Sequence, residues 1–312
     1  MAASKHLPTM YHYDEGGTDL DRTFDVSFSA VPDELQQFVE CICCNRTARP
    51  DCARVPEGIG HVVFVVTRWQ RSAARVAEIG DAALLFSGPH TVKHPMPLGN
   101  GETIVAQLRP GAARTVFGVP AHWLTNQIVS AHAVRGASAR HALDRLVAAP
   151  SSRARVAIFT AMLSGWVRPA RDDTFTVRAA AWMQSRREWR AGALAAKSGY
   201  SERHTRRLFE DCLGLSPKAY ARTLRLHAVL QMATRTTDLA EIAAAAGYYD
   251  QAHLTQDFRT CVGRPPASFF GDREAARLSR FGIVLDADAA IREARPRSVA
   301  SPETRGALLQ PP

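Results

Sequence analysis

Three sets of side chains in this 312-residue chain have types and spacings able to do chemistry. Arg203, Arg206 and Arg207 recur at i, i+3 and i+4, which puts them on one face of a helix. Each offers a planar fork of N–H donors and no acceptor. Cys41, Cys43, Cys44 and Cys52 place four soft ligands within twelve residues, a set that could bind zinc or copper or register oxidation. His61, His90 and His94 supply imidazole nitrogens of the kind that hold a catalytic metal.

The last two sets lack the patterns their chemistry needs. C-x-C-C-x7-C is not a standard structural zinc spacing, and VECICC also reads as a partly buried strand in which cysteine acts as a small apolar residue. The histidines form no compact HxH followed by a spaced glutamate and histidine, so they are expected to be scattered over loops. The expectation is therefore no metal, no cofactor and no catalytic residue. Trp69, Trp123 and Trp166 would line a pocket or, more simply, fill a core. The arginine stripe agrees with the whole chain: 39 Lys and Arg against 30 Asp and Glu leave a net charge of +9 and call for an acidic partner, nucleic acid first.

The elements that would carry these residues divide near position 170. Short β-rich runs, VVFVV (62–66), ALLF (83–86), TIVAQL (103–108) and TVFGV (115–119), are separated by Gly and Pro signals and predict a small antiparallel sheet or barrel. HWLTNQIVSAHAV, SARHALDRLVAA and RARVAIFTAMLSGWV then recur apolar at helical intervals. VRPARDDTFT marks a boundary, after which the chain reads as helical to residue 271. The expected organisation is an effector, sensor or dimerisation domain over 1–168, a linker over 169–175, an all-helical domain over 176–271, and a partly disordered extension over 272–312. No run approaches the roughly 18 apolar residues of a membrane span, and MAASKHLPTMYHYDEGG lacks the apolar stretch of a leader. A cytoplasmic protein with no membrane partner is expected.

The helical half repeats itself. Setting Gly199 on Gly247 pairs Leu194 with Ile242, Ala195 with Ala243 and Tyr200 with Tyr248. After one inserted residue, His204 pairs with His253, Phe209 with Phe258, Cys212 with Cys261, Gly214 with Gly263, Pro217 with Pro266 and Tyr220 with Phe269. Two short helices crossing steeply need a small residue where they touch and a glycine at the turn. Ser201 and Asp250 stand where N-caps belong, Gly214 and Gly263 where the second helices stop, and Phe209, Phe258, Cys212 and Cys261 where a core belongs. This is helix-turn-helix grammar written twice. Residues 178–225 carry eleven Lys or Arg against four Asp or Glu, while 226–271 carry three against four, an asymmetry that packing alone does not require.

Over residues 176–271 the chain resembles the AraC/XylS family of bacterial transcriptional regulators, through the units LAAKSGYSERHTRRLF and IAAAAGYYDQAHLTQDF and a closing GRPP. The resemblance implies that the second helix of each unit enters a major groove of double-stranded DNA, with a bridging helix over about 217–234 setting their separation. It implies Arg203 and Arg206 on base edges, Arg207 shared between base and phosphate, Ser201 at the start of the same helix, Gln251 and Gln256 on base edges and Thr255 on phosphate. His204 and His253 are expected to be structural, and Lys197 and Lys218 to be phosphate contacts or solvated surface. RNA polymerase, a small-molecule effector and a homodimer are the further partners implied, with activation the expected sign. Three features depart from the family: Thr205 replaces a leucine, Asp257 adds an acid beside the second reading face, and PASFF lacks a final arginine. The second unit is therefore expected to bind more weakly. The N-terminal half more loosely resembles the cupin-like sensors of such regulators in RVPEGIGHVVFVV, FSGPHT and LRPGAARTVFGVP. A thiol- or metal-responsive version using Cys41, Cys43, Cys44 and Cys52 remains the alternative. A DNA-alkylation repair methyl acceptor ranks behind it, since the cysteine spacing does not match.

Overall fold

A computed structural model describes residues 26–45, 52–67, 82–95, 101–167, 171–186, 191–273, 275–276 and 283–285. Trp69 and the tail beyond 285 lie outside them. The first half is built on β1 (Val26–Ser29), β2 (Val39–Asn45), β3 (Cys52–Arg54), β4 (His61–Thr67), β5 (Ala82–Ser87), β6 (His94–Pro95), β7 (Gly101–Leu108) and β8 (Ile128–Ser130). Six of these form one sheet in the order β1-β2-β7-β4-β5-β8, with every pairing antiparallel. The expected antiparallel architecture with helices is what the chain adopts.

Alternation along the strands gives the sheet two different faces. Ile42, Cys44, Val62, Phe64, Leu84, Phe86, Ile104 and Ala106 turn toward α1 (Ala113–Phe117), α2 (Ala131–Arg135), α3 (Ala137–Ala148) and α4 (Ser152–Trp166), forming one apolar core. Val63, Val65, Ala83 and Leu85 form a smaller cluster on the opposite face.

Two local expectations fail for the same reason. TVFGV is not a strand: Thr115, Val116 and Phe117 belong to α1, all three are buried, and Gly118 ends the helix at φ +79°. HWLTNQIVSAHAV is not one helix but a 3-10 turn over Ala121–Leu124, the edge strand β8 and the short α2. β propensity and apolar spacing are weak local preferences, and burial against an existing sheet overrides them.

The second half comprises α5 (Arg171–Arg186), α6 (Ala191–Ser198), α7 (Glu202–Cys212), α8 (Pro217–Met232), α9 (Leu239–Ala245), α10 (Gln251–Val262) and α11 (Pro266–Phe270). α5 already begins inside the stretch expected as a linker. Within the expected C-terminal extension, β9 (Ile283–Leu285) pairs with β3, whose other neighbour is β6. The halves also share a core, since Ala53, Val55 and Ile59 pack with Phe209, Tyr220, Leu224 and Phe258. Gly58 takes φ +66° directly over the ring of Tyr220, and His227 Nε2 donates to the Pro56 carbonyl at 2.8 Å.

Candidate nucleic-acid interface

Both repeats become helix-turn-helix units with the same internal mechanics. α6 and α7 are joined at Gly199, φ +72°, and α9 and α10 at Gly247, φ +76°, conformations that favour glycine at each turn. Ser201 Oγ accepts from the His204 amide at 3.2 Å and Asp250 Oδ1 from the His253 amide at 2.7 Å, so each second helix begins on a side-chain cap worth about 1 kcal/mol. Ala195 and Ala243 are buried at the crossings, and Phe209 and Phe258 are buried as anchors. Cys212 and Cys261 are likewise in the core. α8, capped by Ser216 with Pro217 in its first turn, is the bridging helix.

The outer faces hold the candidate contacts. On α7, Arg203, Arg206 and Arg207 are exposed while Thr205, Leu208, Phe209 and Cys212 are buried behind them. Arg206 Nε pairs with Glu210 Oε1 at 2.8 Å, one helical turn on, in a solvent-exposed bridge that contributes little and can give way to another acceptor. Arg207 lies 3.3 Å from His204 Nδ1, and the His204 ring stands edge-on to Tyr200. On α10, Gln251 and Gln256 are exposed and Thr255 is half-buried, with Leu254, Phe258 and Cys261 inward. Lys197 sits over the Trp182 ring, whereas Lys218 is exposed along a groove between α8 and α10.

Asp257 departs from expectation. It does not face outward beside the reading residues. Its Oδ1 takes the Nε–H of Arg222 on α8, and its Oδ2 accepts the Tyr248 hydroxyl at 3.0 Å. With only 12% of its side chain exposed, this carboxylate ties α10 to the bridging helix instead of repelling a phosphate. Local spacing could not reveal this, because its partner lies 35 residues away. Thr205, 1% exposed, presents a buried hydroxyl with no hydrogen-bond partner among the described residues. Tyr249, the residue inserted in the second repeat, is 92% exposed at the start of α10.

The N-terminal histidines are not scattered. His61, His90 and His94 are all buried, and the last two stack their rings at 3.6 Å. His61 Nε2 lies 3.0 Å from Glu57 Oε2, and Glu57 also takes the Nε–H of Arg54 at 2.6 Å. Burial alone would raise the Glu57 carboxyl, but Arg54 and His61 pull it down to about 2. Burial, helped by His61, lowers His90 to about 4, and burial with His90 as neighbour holds His94 well below the usual imidazole value. The chain brings them together because β4, the segment after β5 and β6 meet in the tertiary structure, which no local motif encodes. Among the described residues, no three His, Cys, Asp or Glu side chains form a group that could hold a metal. Cys41 and Cys43 lie on one face of β2, where burial pushes Cys43 up to about 11 and Cys41 well above its usual value. Cys44 is on the other face and donates to Glu102 Oε1 at 3.2 Å. Cys52 lies on β3, its side chain outside the described residues. Trp166 is core, its Nε1 donating to Ser138 Oγ, while Trp123 is half-buried.

Paired helix-turn-helix units on a bridging helix, with a cationic outer face on α7, define a DNA-binding transcription regulator. A helix-turn-helix domain family matches residues 194–272, and a domain of unknown function, DUF6597, matches residues 30–130. The probable transcription factor PqrA of Proteus vulgaris is 30% identical over 93 residues, covering 28% of this chain and 76% of that protein. The chain belongs to the AraC/XylS family of transcriptional regulators. ToxT from Vibrio cholerae O395 overlays loosely, with 9% identity and a TM-score of 0.36 over 73% of this chain and 95% of that one. Unsaturated fatty acid-bound wild-type ToxT from Vibrio cholerae strain SCE256 does so with 8% identity and a TM-score of 0.37 over 70% and 90%. Among the described residues no helix is long and apolar enough to cross a membrane.

Proposed function

We propose that this regulator reads two successive major grooves of one duplex, α7 in the first and α10 in the next. The carrying observation is that α7 exposes Arg203, Arg206 and Arg207 on one side while burying Thr205, Leu208, Phe209 and Cys212 on the other. A helix so oriented can enter a groove about 12 Å wide without disturbing its own core. Arg203 and Arg206 donate to guanine O6 and N7, and Arg207 divides itself between base and phosphate. Ser201 lies at the helix N-terminus, where backbone amides approach a phosphate. In the second unit Gln251 and Gln256 read base edges and Thr255 holds phosphate. Residues 176–271 form the reader, and 1–168 sense a small effector or dimerise. The complex acts in the cytoplasm as an activator through RNA polymerase, with no cofactor and no reaction of its own. A thiol-responsive mode has less support, since Cys43 and Cys41 are held protonated by burial and Cys44 faces away from them.

The test is selection of duplexes from a random library by the full-length protein, followed by titration of the selected site at fixed salt with Arg206→Ala and Gln256→Ala. Loss concentrated in Arg206→Ala supports the assignment. Equal losses overturn the ranking of the two units, and a protein that selects no sequence overturns the reading.

A further inference from the structure

One short stretch of the N-terminal half touches both reading units at the same place in the repeat. Gly214 and Gly263 each terminate a recognition helix, at φ +89° and +90°. Pro89 packs so tightly on Gly214 that a side chain there would collide with its ring and with the Ala121 carbonyl, while Thr125 Oγ1 donates to the Gly214 carbonyl at 2.6 Å. Four residues further on, the Lys93 amide donates to the Cys261 carbonyl at 2.8 Å, and the Lys93 side chain lies against Gly263. Residues 88–94 therefore run from the end of α7 to the end of α10.

The same stretch is pinned to the sensor. Gly88 donates its amide to the Gln127 carbonyl at 2.9 Å, the Asn126 amide donates to the Pro89 carbonyl at 3.0 Å, and the Thr91 amide donates to Asn126 Oδ1 at 2.8 Å. Asn126 adopts φ +59°, a left-handed conformation that asparagine tolerates better than most residues. His90 bonds Ser87 Oγ, His94 stacks on His90, and His94 continues into β6, which pairs with β3. A segment pinned on one side and attached at two points on the other can hold those points at a fixed distance. α8 joins the two units through the shared core, the Arg222–Asp257 link and Arg225 over the Tyr248 ring. A further tether at the far ends of α7 and α10 restricts pivoting about α8.

We propose that residues 88–94, with Thr125, form a positioning strap by which the N-terminal half sets the separation and relative orientation of α7 and α10, and so the half-site spacing that the regulator accepts. This rests on the two-groove reading. Pro89, Lys93 and Thr125 are positioning residues, since they touch the ends of the recognition helices and act through them.

The test uses full-length protein and a duplex that the wild type selects from a random library, alongside the same duplex with one base pair inserted between its two half-sites. Thr125→Val removes the bond to the Gly214 carbonyl with little change in size, and Gly214→Ala drives a methyl into Pro89. Gly136→Ala is the control: it lies between α2 and α3, outside the reader, its φ of +58° also imposes backbone strain, and among the described residues nothing lies within 4 Å of the added methyl. Wild-type protein and Gly136→Ala should prefer the original spacing by the same factor. Thr125→Val and Gly214→Ala should each cut that preference by roughly three- to ten-fold, the scale of one lost hydrogen bond. A merely destabilising substitution lowers binding to both duplexes alike and leaves the ratio unchanged, so an unchanged ratio in Thr125→Val overturns the strap even if Gly214→Ala does not fold. If the wild type selects no duplex with two half-sites, the two-groove reading fails, and the strap fails with it.

Discussion

The two reading units share a backbone plan and differ on their outer faces. Where the first carries Arg203, Arg206 and Arg207, the second carries Ala252, Thr255 and Gln256 in the same register. Inside, the differences run the other way. Buried Thr205 of the first unit corresponds to buried Leu254 of the second, and buried Leu208 corresponds to Asp257, tied to Arg222 and Tyr248. Residues that terminate helices or cross at turns are held by backbone geometry and therefore repeat, whereas a position facing only solvent or only one neighbour can diverge with that neighbour.

The widest gap should appear in DNA binding. Arg206→Ala is expected to weaken binding to a selected site by roughly ten- to a hundred-fold, the scale of a lost bidentate guanine contact, with Gln256→Ala well below it at the same salt. Comparable losses would mean that the amide unit reads as strongly as the arginine unit. Next come the two internal solutions at one repeat position. Leu208→Ala should lower unfolding free energy in a denaturant titration by about 3 kcal/mol through the cavity it leaves, and Asp257→Ala by about 2 kcal/mol through the unpaired arginine it exposes. A negligible effect for Asp257→Ala would remove the link between α8 and α10 from this account. Thr205→Val should raise stability by about 1 kcal/mol by deleting a buried hydroxyl that bonds nothing among the described residues, bringing the first unit closer to the second, and a loss instead would point to a partner for that hydroxyl. The smallest effect is expected for Lys218→Ala, whose second-unit counterpart is Ala267. It should weaken binding to every duplex by a similar small factor and reduce the slope of log K against log salt by about one, and a change confined to one sequence would make Lys218 a base contact.

Much of the reader was legible in the residues alone. Gly199, Gly247, Gly214, Gly263, Ser201, Asp250 and the buried pairs Ala195 and Ala243, Phe209 and Phe258, and Cys212 and Cys261 act within a turn or two of chain, so their types announce their roles, and each occupies the place expected of it, whereas of the paired tyrosines Tyr248 is buried and Tyr200 is exposed. The strands over 62–66, 83–86 and 103–108 were legible for the same reason, since alternation against one core is a local pattern. The short segments TVFGV and HWLTNQIVSAHAV were misleading, because a run of five to a dozen residues has too little propensity to resist burial against a sheet built elsewhere in the chain.

Contacts between distant segments belong to the folded molecule alone. His61 and the stacked pair His90 and His94 meet through the pairing of strands, Asp257 turns inward because Arg222 arrives from α8, and Ala53, Val55 and Ile59 enter the core of the reader. The stretch from Pro89 to Lys93 reaches both recognition helices only once the two halves have packed. Turn chemistry and helix caps depend on neighbours a few bonds away, which the order of residues dictates. Which carboxylate is neutralised, which imidazoles gather and what holds two helices in register depend on groups dozens of residues apart, and only chain closure brings those together.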